Sequence, residues 1–487
     1  MRRISFALAL ALSCLLVLTA CGSKNKSSSV SANSSSGDPS IAGAEIAPAS
    51  ATFFASINTD SSGAQWKQAM ALLARVPSLQ KSLDKNLSSS GITLADVEGA
   101  LGPTTVFVQL GTSAKPTEVF LTNPTDSAKL KSILAKDKKD KSVTTEIDSW
   151  LAFAQSQAAL DQFKTAVGAG KLIDSASFKT AASGVPADAL MKAYFKGSAI
   201  NASSLSSSLG SGSASKALNG AMAGDQLEWG TLAASAVPKG LSIEGVFKGK
   251  KSMTNSSSTL VDQLPSGTSF AVDLDGKALG LDKAVQALRN SSKYSSQLPQ
   301  MEAALGVKLD DLAALAGSEM SIYGTEAGIG LLIKAPDAAK AKTMLDKAGK
   351  LVVLQLRGST KSVSVGGVQA TEITFGTTKL DYGVKDGNLF VVTDAGALPG
   401  NAKLSSDPAY NAAATELPVP ASNLGVAFID FAKLTALSKS GSSIVKSLGS
   451  SSGANTNLSG LEGLSSLLGY ASANGDKVEI KAFLSTK

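Results

Sequence analysis

Apolar and polar residues alternate with period two along several stretches of the chain, the pattern of a strand with one covered face. The clearest stretches are 104–110, 117–123, 241–248, 319–324, 328–334 and 478–484. Elsewhere the apolar spacing lengthens. Trp66, Met70 and Leu73 recur at helical intervals, and so do Leu281, Val285 and Leu288, so an amphipathic helix is predicted at each place. Pro124-Thr125-Asp126 and Pro336-Asp337 each open another helix, because proline and aspartate suit a first helical turn. Residues 350–357, 362–375 and 379–393 are predicted to form a strand meander, with Asp386-Gly387 as a tight hairpin turn.

These elements occur twice in the same order. The segment from Pro48 through Phe53-Phe54-Ala55 resembles Pro265 through Phe270-Ala271. Each leads to a polar strand end, Asn58-Thr59-Asp60 in the first and Asp273-Leu274-Asp275 in the second. Gly91-Ile92-Thr93-Leu94 then matches Gly306-Val307-Lys308-Leu309, and Lys171-Leu172 through Phe178 matches Lys403-Leu404 through Tyr410. Residues 143–154 stand where the second copy has its longer meander. The expected fold is therefore α+β, with two duplicated units at 47–250 and 262–487, each an antiparallel sheet packed with a few amphipathic helices.

The N-terminus has a different pattern. Arg2 and Arg3 precede an almost wholly apolar run over 4–17 and then the small residues before Cys21, the anatomy of a secretory signal. Leu18-Thr19-Ala20-Cys21 resembles the lipobox of bacterial lipoproteins at all four positions. The resemblance implies cleavage between Ala20 and Cys21 and diacylglycerol on the Cys21 thiol. An uncleaved anchor would need about 20 apolar residues, more than this run supplies. Residues 21–46 are rich in Ser, Asn and Gly and are expected to be a flexible tether. The expected location is the extracytoplasmic face of a cell membrane, held there by lipid.

Composition narrows the chemistry. The formal charge of +7 falls to +5 once Arg2 and Arg3 are removed, too mild over such a length to point to nucleic acid. The chain has no histidine, which excludes the commonest general base and metal ligand. Of its two cysteines, Cys14 leaves with the signal and Cys21 is acylated, so no disulfide or thiolate site is expected.

The remaining motifs are weak. Gly449-Ser450-Ser451-Ser452-Gly453 matches a hydrolase elbow without a histidine to activate it. Ser78-Leu79-Gln80-Lys81 and Ser213-Ala214-Ser215-Lys216 match Ser-x-x-Lys but lack the companion motifs. The charge run at 136–141 reads as a solvated helix end. Asp60, Asp273 and Asp275 are the acids of most interest, as oxygen ligands for a hard cation or as caps on the helices that follow. Capping is the expected role, because no calcium-loop pattern continues after Gly276.

The opening Pro48-Ala49-Ser50-Ala51-Thr52-Phe53-Phe54, the Asp60…Gln65-Trp66 helix entry, and the boxes from Leu172 to Phe178 and from Leu404 to Tyr410 resemble an uncharacterised bacterial family, domain of unknown function three-three-five-two. The resemblance covers most of 45–487. It implies an envelope location and a duplicated α+β fold, and it brings no catalytic residues. The expected function is that of a membrane-anchored envelope lipoprotein acting as a non-enzymatic binding or interaction module, with no cofactor and with an envelope protein or glycan as partner. Two alternatives stay open. One is a glycan-active enzyme using carboxylates and lysines, and the other is a passive structural or chaperone-like surface protein.

Overall fold

The computed structural model describes residues 41–88, 91–111, 116–136, 142–199, 227–290, 295–296, 298–376, 378–439 and 458–487. Among these, eighteen strands form one antiparallel sheet. In chain order they are β1 (Phe53–Asn58), β2 (Thr104–Leu110), β3 (Thr117–Thr122), β4 (Val143–Ile147), β5 (Trp150–Ala154), β6 (Met191–Lys196), β7 (Leu227–Val237), β8 (Gly240–Gly249) and β9 (Phe270–Asp275). They continue as β10 (Glu319–Gly324), β11 (Ile329–Ile333), β12 (Ser359–Val365), β13 (Val368–Phe375), β14 (Thr378–Lys385), β15 (Asn388–Val392), β16 (Gly425–Asp430), β17 (Leu464–Asn474) and β18 (Lys477–Thr486).

The ladder centres on a seam between β8 and β18, which pair from Lys248↔Lys477 to Gly240↔Ser485. From β8 one wing runs outward through β7, β6, β1, β2, β3, β5 and β4. From β18 the other runs through β17, β16, β9, β10, β11, β15 and β14, and ends on β13 and β12. The two sheets expected from the sequence are thus halves of one. The long strands β7 and β17 that flank the seam have no counterpart among the strands predicted from periodicity.

Alternate strand residues enter cores on opposite faces. Ile57, Ala482 and Leu484 pack with Leu83, Leu87 and Leu130 from helices of the first wing, so one core crosses the seam. On the other face, Phe54 and Tyr194 pack with Leu160, Phe163 and Phe178 of the first wing. Phe428 and Leu468 pack there with Leu404 and Tyr410 of the second. The Leu172 and Leu404 boxes fold alike. Leu172 N donates to Ala47 O and Leu404 N donates to Leu264 O, both at 2.7 Å. Phe178 then meets Tyr194 edge-on, as Tyr410 meets Phe428, with 5.3 Å between ring centroids in each pair.

Three expectations need correction. Residues 350–357 are not a strand, because the helix Ala338–Leu356 runs through nearly all of them. An apolar run as short as Leu351-Val352-Val353-Leu354 fits helix or strand equally well. The Asp337 side chain caps the start of this helix, which ends only at Arg357, in a left-handed conformation beside Gly358. The meander is therefore four strands, β12 to β15, and Asp386-Gly387 turns with positive φ at both residues, as a tight hairpin requires. The tether expected to reach residue 46 stops sooner, since Ile41, Ala44 and Ile46 are buried against Leu160 and Leu172. Finally, the helix Leu281–Gln286 buries none of its residues and Leu288 beyond it is exposed, so that amphipathic stripe faces no deep core.

Candidate functional site

On the face shared by Phe54 and Phe428, the seam carries charge. Glu244 of β8 lies directly opposite Lys481 of β18, and Val246 lies opposite Glu479. Lys477, Glu479 and Lys481 alternate along β18 and so share one face. Together with Trp229 and Thr231 of β7 they line a cleft of about 250 Å³. Thr180, Ala181 and residues 183–186, at the end of the helix Ala176–Ala182, also line it, as does Asn474 at the end of β17.

Glu244, Lys477 and Lys481 are half-buried, and none makes an ion pair or side-chain hydrogen bond with another described residue. Glu479 Oε1 accepts from Asn474 Nδ2 at 3.2 Å. Burial holds the Tyr470 phenol above its ordinary range, and the nearby Glu479 and Glu244 carboxylates push it the same way.

Glu244 and Lys481 occupy the same place in the two wings. Phe53 pairs through Phe195 and Gly230 to Phe247. Phe270 pairs through Ile429 and Leu467 to Leu484. Glu244 precedes Phe247 by the same interval as Lys481 precedes Leu484. One structural position therefore faces its own counterpart across the seam with opposite charge.

Asp273 lies elsewhere on this face, opposite Ser321 of β10 and Val426 of β16. Asp273 is 1% exposed and Ser321 is fully buried. Asp273 Oδ1 accepts from Ser258 Oγ at 3.0 Å, whereas its Oδ2 and Ser321 Oγ have no hydrogen-bond partner. Glu319, also buried, is better provided. Its Oε1 accepts from the backbone N–H of Thr259 at 2.5 Å and of Leu260 at 2.7 Å, and Oε2 accepts from Thr259 Oγ1 at 3.0 Å. Burial and then the charge of Glu319 push the Asp273 carboxyl up to about 7. Among the described residues no group of three or more acids could hold a metal ion.

The family described as "Protein of unknown function (DUF3352)" matches residues 113–467. The chain belongs to the DUF3352 family. No curated protein matches it. Among solved structures, crystal form I of TP0453 is similar at 9% identity and a TM-score of 0.25, over 43% of this chain and 79% of that one. Crystal form III of TP0453 is similar at 9% identity and a TM-score of 0.22, over 46% and 93%. At such TM-scores neither likeness bears on fold or function.

In this DUF3352 chain the acids singled out from sequence go to different places. Asp60 Oδ1 accepts from the N–H and hydroxyl of Ser62 at 2.9 and 2.6 Å, and the Ser62 hydroxyl is the main reason its carboxyl is held below the ordinary range. The helix Ala64–Ala74 begins after Gly63 without a side-chain cap. Asp275 Oδ1 accepts from Ala278 N at 2.5 Å, and the helix Leu281–Gln286 likewise starts uncapped after Gly280. Both acids therefore fix the turn before a helix and do not cap the helix itself. The ladder also sets these acids at different levels in the two wings. Phe53 matches Phe270, so Asp273 corresponds to Ser56 and Asp275 to Asn58, and Asp60 lies beyond either strand end.

Ser78, from one Ser-x-x-Lys match, donates to Gly460 O at 2.7 Å and ties a helix to the second wing. Residues 1–20, Cys21, Ser213–Lys216, Gly449–Gly453 and 137–141 lie outside the described residues. No helix among the described residues is long and apolar enough to cross a membrane. Sequence reading missed Glu244, Glu319 and Lys481. The signal for Glu244 and Lys481 was present in the alternation of 241–248 and 478–484, but their meeting depends on a pairing between halves that no local pattern records.

Proposed function

We propose that the protein is a lipid-anchored envelope binding module with a duplicated α+β body, and that it binds its partner in the seam cleft. The observation that carries this reading is the cleft itself, where Glu244 and Lys481 face each other half-buried and without ion-pair partners. Half-burying charge without pairing it is unfavourable, and a ligand that supplies the missing partners offsets that. The common connection order of the two wings supports duplication. The Leu18-Thr19-Ala20-Cys21 motif supports anchorage through Cys21 on the extracytoplasmic face.

The test is in-cell cross-linking from a photoreactive residue placed at Ser183 on the cleft wall, with the Cys21→Ala form run in parallel. Capture of one envelope protein or glycan, lost without the anchor, is the expected result. Equal or absent capture in both forms would overturn the reading.

One observation favours a second reading. Glu244 and Glu479 line the same cleft on neighbouring strands in a diagonal relation, which places their backbones roughly 7–8 Å apart. Carboxylates carried on backbones so spaced can reach the separation a glycosidase uses. Turnover of an envelope glycan that Glu244→Gln and Glu479→Gln each abolish would establish this reading. Retained turnover in both variants would remove it.

A further inference from the structure

The cleft also constrains the chemistry of its occupant, in an inference that rests on the binding reading above. Its volume of about 250 Å³ lies below the roughly 300–1,000 Å³ of pockets for drug-sized ligands, so the occupant is small. The charged walls are two carboxylates, Glu244 and Glu479, and two ammonium groups, Lys477 and Lys481. A purely anionic ligand meets as much repulsion as attraction there, and so does a purely cationic one. A ligand carrying both signs does not.

The two signs stand close together. Glu244 and Lys481 are direct cross-strand neighbours, and such residues hold their Cβ atoms about 4.5–5.5 Å apart. Side chains starting from neighbouring Cβ atoms reach a ligand whose opposite charges lie close together more readily than the ends of a long zwitterion. Trp229, Thr231 and Asn474 leave apolar and hydrogen-bonding surface for a side chain.

We infer that the seam cleft binds a free α-amino acid, with its ammonium on Glu244 and its carboxylate on Lys481. Charge-assisted hydrogen bonds of this kind are roughly twice as strong as neutral ones.

The experiment uses the full chain in detergent. Thermal unfolding is first measured with each of the twenty protein L-amino acids, since a ligand that binds only the folded state raises the midpoint. The amino acid giving the largest rise is then titrated calorimetrically, together with its N-acetyl and C-amide forms. In the wild type each blocked form should bind at least tenfold more weakly. Glu244→Gln should lose affinity to the same degree and be indifferent to N-acetylation. Lys481→Gln should do likewise and be indifferent to amidation. The double exchange Glu244→Lys with Lys481→Glu keeps the cleft neutral and serves as the folding control.

A rise in midpoint for no amino acid overturns the inference, and so does binding that survives unchanged in both single variants. If amino acids fail while cross-linking from Ser183 still captures an envelope component, the ligand class falls and the binding role stands. If both fail, both readings fall.

Discussion

Asp273 Oδ2 and Ser321 Oγ are buried on directly opposed residues of β9 and β10, and neither has a hydrogen-bond partner. A carboxylate oxygen left unpaired in a core is costly when charged, and taking up a proton lowers that cost. Among the described residues Asp273 receives only the Ser258 hydroxyl on its side chain. Its carboxyl, pushed up to about 7 from 3.8 by burial and by Glu319, holds that proton through most of the range in which an unfolded aspartate has lost it.

A stability trend follows from that difference. Between about pH 4 and pH 7 the folded state binds the extra proton, so this group's contribution is fully present below the unfolded value. It is lost as pH rises through the folded one. The loss is on the order of 4 kcal/mol. Asp273→Asn keeps the shape and removes the titration. Urea midpoints of the two proteins should diverge as pH rises from 5 to 8, with the variant the more stable at pH 8. Parallel curves for the two would show that Asp273 is charged in the folded protein throughout.

Lys433 gathers two other buried acids. Its Nζ lies 2.5 Å from Asp407 Oδ2 and 3.1 Å from Asp430 Oδ2. Burial alone would lower this ammonium, but the Asp407 and Asp430 contacts hold it above its ordinary value. The same acids fix backbone nearby, Asp407 at the start of the helix Pro408–Glu416 and Asp430 on the N–H groups of Ala432 and Lys433. Lys433→Met keeps the stem and leaves two buried carboxylates without their cation. Breaking a buried ion pair from one side is expected to cost about 3–5 kcal/mol, discounted here because Lys433 itself is one-third exposed. A drop of about 2 kcal/mol or more in unfolding free energy at pH 7 is the expected result, and a loss below about 0.5 kcal/mol would mean that the two acids find other partners.

Phe178 gives a prediction of a different kind. It is 1% exposed and meets Phe54 and Tyr194 edge-on, at 5.9 and 5.3 Å between ring centroids. Phe178→Ala should cost about 3–5 kcal/mol by leaving a cavity that the surrounding rings cannot fill. Chemical denaturation measures it, and a loss below about 1 kcal/mol would mean that this layer is loosely packed.

Phe178 was also among the residues legible in the sequence, because the Leu172–Phe178 box recurs at Leu404–Tyr410 and both fold alike. Strands with clean alternation, such as Thr104–Leu110 and Glu319–Gly324, were legible for the same local reason, as was the Asp386-Gly387 turn. What was not legible is non-local. Periodicity shows which face of β8 is covered but not that β18 lies beside it, so the join between halves and the meeting of Glu244 with Lys481 went unread. Asp273 was noticed for its charge. Its burial depends on Ser321 and Val426, which reach it from strands far away in sequence. The run at 350–357 failed differently, because helix and strand are equally consistent with so short an apolar stretch.

The seam that sequence could not show depends on close backbone approach. Gly240 pairs with Ser485 at the end of the β8–β18 ladder, and a Cβ built there would stand 2.0 Å from the carbonyl oxygen of Leu484. No rotamer relieves that contact, because the obstacle is backbone. Gly240→Ala must therefore push the strands apart at this end, although β8 and β18 also bury Leu241, Ile243, Ala482 and Leu484 in the core that crosses the seam. Strain of this kind typically costs about 1–3 kcal/mol. The effect should be local. Amide hydrogen exchange should quicken at Leu241, Ser242 and Leu484 while Lys248 and Lys477, at the far end of the ladder, keep their protection. Uniform loss of protection along the whole ladder would mean that the seam opens as one unit. Unchanged exchange would mean that the strands are farther apart at Gly240 than the contact with Leu484 requires.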